Sequence, residues 1–157
     1  MSVVLLMGFT SCQPKFEPEV DIIVEGIWYQ ASTVFNTDHT LRQEIIFKGD
    51  GTYELAAKII DNLTKSDIEY FFLYTGNYQI QGNRLKRQNV KHYGRKDVSI
   101  KYNRQDLELI SSTEELPIVL LSLDENGETL TMDYRSGDCL NMNIRNCIEV
   151  ESYRRDK

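Results

Sequence analysis

The sequence predicts an all-β domain of antiparallel strands, and three observations predict it. From residue 22 onward the apolar side chains recur with a period of two rather than 3.6. Gly and Asn punctuate the chain at intervals of about 8–12 residues, the spacing of short strands joined by tight turns. Nine Tyr and six Phe in 157 residues enrich the side chains that suit a pleated, half-buried surface. Roughly eight to ten strands fit, enough to form a sandwich or a closed barrel.

The elements follow in order. Residues 41–48 lead into Gly49-Asp50-Gly51, a turn whose glycines accept the positive φ of a hairpin. In residues 52–59 one face carries Tyr53, Leu55, Ala57 and Ile59, and the other Thr52, Glu54, Ala56 and Lys58. Residues 61–67 read as one helical turn. Residues 68–80 place Tyr70, Phe72, Tyr74, Tyr78 and Ile80 on one parity, with Gly76 as a bend or bulge. Gln81-Gly82-Asn83 turns into residues 85–90. Val98, Ile100 and Tyr102 alternate again, as do Leu107 and Leu109, and residues 112–116 read as a second helical turn. Residues 118–123 are apolar except for Ser122, which predicts burial on both faces. Asn126-Gly127 is the clearest turn, and Leu130, Met132 and Tyr134 carry the return strand. Ile148 and Val150 belong to the last.

Net charge is −6, but residues 84–104 run against it. Arg84, Lys86, Arg87, Lys91, Arg95, Lys96, Lys101 and Arg104 face the single acid Asp97, a local +7 that leaves −13 elsewhere. The plain reading is outward positions on two neighbouring strands. The sharper one is a face for phosphate headgroups or an acidic partner. An acidic total argues against nucleic acid as the main partner, and none is expected.

The first residues read MSVVLLMGFTSC. Val3 to Phe9 supply an apolar run too short to span a bilayer, then Thr10, Ser11 and Cys12 follow. This resembles the leader and lipobox of bacterial lipoproteins, although no Lys or Arg precedes the run and Phe9 stands where Leu is usual. A start further upstream would supply the missing positive charge. The resemblance implies a signal peptide over residues 1–11 and acyl chains such as palmitate on Cys12. It further implies a cell-envelope location, the outer membrane foremost. Residues 12–24 carry Pro14 and Pro18 and read as an extended tether. Cys139 and Cys147 lie eight apart and would close a short disulfide loop in an oxidising compartment, or remain two thiols.

Gly26-Ile27-Trp28, Gly49-Asp50-Gly51-Thr52-Tyr53, residues 76–85 and Tyr153-Arg154-Arg155 stand in an order that resembles the lipocalin-like lipoproteins of Bacteroides-type bacteria. The resemblance covers residues 25–155. It implies an antiparallel up-and-down barrel of about eight strands over residues 25–157, with Trp28 on the barrel floor and Arg154 or Arg155 across its ring. It also implies a membrane-anchored protein that binds a small apolar or amphipathic molecule. Trp28, Tyr53, Tyr78 and Tyr134 are the candidate ligand-binding residues, since a phenol combines an apolar body with a polar tip. Tyr70, Phe72, Tyr74 and Tyr102 are further inward candidates. The alternative is a solid barrel whose outer face docks on a partner protein or on lipopolysaccharide. Oligomeric state is left open.

Nothing in the sequence predicts catalysis. The two histidines, His39 and His92, have no ligand at metal spacing. Nucleophile elbow, phosphate loop and dinucleotide fingerprint are absent. No enzyme activity, metal or cofactor is expected.

Overall fold

In the computed structural model, described over residues 20–34, 37–134 and 150–156, eight antiparallel strands close into one barrel. The strands are β1 (Gly26–Thr33), β2 (His39–Phe47), β3 (Thr52–Asp61), β4 (Asp67–Gln81), β5 (Arg84–Gly94), β6 (Glu108–Leu123), β7 (Thr129–Asp133) and β8 (Val150–Arg155). Each pairs with its sequence neighbour, and β1 meets β8 through Trp28↔Arg155 and Tyr29↔Arg154. Closure pairs the first strand with the last, although β6 meets β7 only over residues 120–123 and β1 meets β8 only at Trp28 and Tyr29. Cys12, Cys139, Cys147, Ile148 and the leader lie outside the described residues.

Local chemistry explains the turns at one end. Asp50 Oδ1 accepts from the backbone N–H and the hydroxyl of Thr52 at 2.9 and 2.6 Å, while Gly51 takes φ +80°. Those donors hold the Asp50 carboxyl below its ordinary pKa. Asp124 Oδ1 accepts from the N–H groups of Glu128 and Thr129, and Gly127 sits at φ +67°. At the β4–β5 hairpin the Gly82 N–H donates to Asp21 Oδ1 at 2.6 Å, and Ile22 N–H donates to Gly82 O at 2.9 Å. Residues 21–24, expected in the tether, therefore pack across this end of the barrel, with Val24 buried in the core. This end is the floor; the β1–β2, β3–β4 and β5–β6 connections ring the mouth.

The interior is packed from the floor upward. Val24, Trp28, Phe47, Leu85, Val119, Leu121 and Leu130 join Ile45, Tyr53, Val90, Met132 and Tyr153 in one buried cluster. A second cluster lies on the outer face of β3, β4 and β5, where Ala56, Tyr70 and Leu73 are covered by Tyr102 and Leu107. Tyr102 O accepts from Tyr70 N–H at 2.8 Å, and Arg104 pairs with Glu54 at 2.7 Å, so the β5–β6 connection is latched against the barrel wall.

Four expectations are corrected. Val98, Ile100 and Tyr102 form no strand: Asp97 Oδ1 accepts from Ser99 N–H and Oγ, making a turn, and Tyr102 is drawn onto the outer wall. Residues 112–116 are not helical but lie within β6, where Lys91↔Ser112 and Arg87↔Leu116 pairing overrides local preference. Residues 118–123 alternate: Val119 and Leu121 are buried, Ile118 and Leu120 half-buried, and Ser122 exposed. Tyr70 points outward, because the β3–β4 register shifts between Ala57 and Lys58 and a one-residue slip reverses the facing of a strand. Residues 61–67 make a turn organised by Asp61, whose Oδ1 accepts from Leu63 and Thr64 N–H.

Candidate ligand-binding interior

Alternation along paired strands decides which side chains enter the barrel. On β1 these are Trp28, Gln30 and Ser32. Their partners on β2 are Ile45, Gln43 and Leu41, and on β3 the row continues through Leu55, Ala57 and Ile59.

At the floor Trp28 is fully buried and its Nε1–H donates to Val24 O at 2.6 Å. Phe47 meets Tyr78 edge-on with centroids 5.0 Å apart, and the Tyr78 hydroxyl donates to Lys48 O at 3.0 Å. Gly76 makes room for Tyr53: a Cβ there would lie 3.0 Å from the Tyr53 ring and 2.8 Å from Gln88 O.

Above the floor the interior turns polar. Gln43 Nε2 donates to the Tyr153 hydroxyl at 2.7 Å, which donates to Glu151 Oε2 at 2.5 Å. Tyr134 donates to the same oxygen at 3.2 Å. The Arg87 guanidinium lies 5.6 Å from the Tyr134 ring centroid and is only 7% exposed. Its Nε and the buried Tyr53 hydroxyl have no hydrogen-bond partner among the described residues. Burial pushes the phenols of Tyr53, Tyr74, Tyr134 and Tyr153 up, with Glu151 adding to the last two. The charge of Arg87 opposes the rise at Tyr53, Tyr74 and Tyr134. His92 stacks on Tyr74 at 4.3 Å, and burial lowers its pKa, favouring the neutral imidazole.

At the mouth a cavity of about 250 Å³ opens among Gln30, Ala31, Ser32, Leu41, Gln43 and Ala57. Gln43 belongs both to this cavity and to the hydrogen-bonded chain beneath it.

Of the four candidate residues, Trp28, Tyr53 and Tyr78 sit in or beside the packed floor cluster. Tyr134 joins the Glu151 network, and none of the four lines the mouth cavity. Arg87, Gln43, Glu151 and Tyr153 were not singled out as site residues. Arg87 shares the parity of Leu85, so a cation at an inward position was the available signal. Half of the eight cations in the basic segment are paired with acids outside it: Lys86–Glu115, Arg95–Glu69, Lys96–Glu108 and Arg104–Glu54 form ion pairs, and Arg87 turns inward. Arg84, Lys91 and Lys101 are the remaining cations. No group of three or more His, Cys, Asp or Glu suited to a metal occurs among the described residues.

No family model, no curated protein and no solved structure matches this chain.

Proposed function

We propose that this chain is a lipocalin-like lipoprotein of the cell envelope whose barrel carries a small amphipathic molecule and performs no catalysis. The observation that carries the reading is the mouth cavity, which meets a buried polar chain through Gln43. The cavity sets Ala31, Leu41 and Ala57 beside Gln30, Ser32 and Gln43, and such a mixed lining suits a ligand with an apolar body and a polar end. The anchor is argued from Cys12 and the apolar run before it. Residues 21–24 cross the floor, so a tether from Cys12 approaches the closed end and leaves the mouth facing away from the membrane.

Titration with the neutral dye N-phenylnaphthylamine tests the carrier. Saturable one-to-one binding, weakened about tenfold or more by Ala57→Trp at the mouth, is expected. Absence of saturable binding, or no effect of the blocking tryptophan, rejects it. Mass spectrometry of the membrane fraction tests the anchor: a diacylglyceryl-modified Cys12 at the N-terminus is expected, and an unmodified chain retaining residues 1–11 rejects it.

A further inference from the structure

Resting on the carrier reading, we infer that the barrel selects ligands bearing a carboxylate, held by the Arg87 guanidinium with the Tyr53 hydroxyl as a second donor. A guanidinium cannot shed its proton at any ordinary pH, so its charge stays when it is buried. Burying a charge is tolerated when it is paired and hydrogen-bonded, and costs several kcal/mol otherwise. Every other cation of residues 84–104 that contacts the barrel wall through an ion pair has its carboxylate within 3.2 Å. Arg87 is the most deeply buried of them, yet it has no carboxylate in ion-pair range among the described residues, only the face of Tyr134.

The interior acid does not supply the missing partner. Glu151 Oε2 is taken up by two phenolic donors, Tyr134 and Tyr153, so its charge is already solvated by the protein. Tyr53 brings a second buried polar group of the interior, a hydroxyl without a hydrogen-bond partner among the described residues. A carboxylate accepts from a guanidinium and a phenol together, and such charge-assisted bonds are shorter and stronger than neutral ones. The mouth cavity, with Ala31, Leu41 and Ala57 on its apolar side, leaves an alkyl or aryl body as the matching remainder of the ligand.

The test compares a dansyl-labelled fatty acid with its methyl ester, titrated into the whole purified protein. The acid is expected to bind about tenfold or more tighter than the ester, the worth of a charge-assisted contact. Arg87→Gln is expected to bring the acid down to the ester's affinity while leaving the ester unchanged, and Tyr53→Phe to weaken the acid alone. Trp28 emission reports whether each variant is folded. Equal binding of acid and ester to the wild-type protein overturns the carboxylate assignment without touching the carrier reading, and needs no variant. Binding of neither probe, together with failure of the neutral dye, rejects the carrier itself and the assignment with it.

Discussion

The Arg155 guanidinium lies 4.6 Å above the ring centroid of Trp28, and the two residues face each other across the β1–β8 seam that closes the barrel. One contact thus joins the first strand to the last. Trp28 is the only tryptophan, fully buried, so its emission is a single-site probe of the floor. Trp28→Ala is expected to cost about 3–5 kcal/mol through lost burial and the cavity left behind. Arg155→Met, which keeps the aliphatic packing, is expected to cost about 0.5–2 kcal/mol. Urea denaturation followed by circular dichroism measures both, and no loss of stability in Arg155→Met would show that the charge contributes nothing over the ring.

Arg87→Met is expected to stabilise the ligand-free protein by about 1–4 kcal/mol, because an apolar side chain of similar length replaces an unpaired buried charge. Thermal unfolding of the two proteins without added ligand checks this. A lower Tm in the variant would show that the wild-type guanidinium is already satisfied.

Alkaline pH is expected to destabilise the fold through Tyr134 and Tyr153. Burial, with Glu151 beside both, raises their folded pKa values above the ordinary phenol range. The folded chain therefore holds these protons more tightly than the unfolded chain. Their contribution is complete below a pH of about 10 and falls as pH rises beyond it, by up to about 1.4 kcal/mol per pH unit for each phenol. Glu151→Gln removes the neighbouring anion and is expected to bring tyrosinate absorbance in at lower pH. An unchanged titration would place Glu151 too far away to matter.

Tyr102→Ala is expected to release the β5–β6 connection from the outer wall while the barrel stays closed. The ring fills the second cluster against Tyr70 and Leu73, outside the main core. Amide exchange is expected to speed up in residues 95–107 and at Tyr70, whose N–H donates to Tyr102 O, with β1 and β8 unaffected. Uniform acceleration across all strands would make this latch part of the global fold.

Much of the barrel was legible in the residues because its signals are local. Gly51 and Gly127 mark turns that need positive φ, and Tyr53, Leu55, Ala57 and Ile59 alternate without interruption. The site was less legible. Arg87 reads as one more cation in a basic run until its pairing with Tyr78 and Leu116 places it inside. Glu151 and Tyr153 read only as positions of the last strand until β8 joins β7 and β1 and brings them to Tyr134 and Gln43.

Alternating polarity and turn chemistry act between residues a few positions apart, so the all-β class and the hairpin turns at Gly51 and Gly127 are written along the chain. Register is different. The slip between Ala57 and Lys58 that turns Tyr70 outward, and the wrap of residues 95–107 over the wall, depend on which distant strand supplies the hydrogen bonds. The same holds for Arg87, the one buried cation among the described residues: its neighbours Tyr78 on β4 and Leu116 on β6 meet it only when the strands pair.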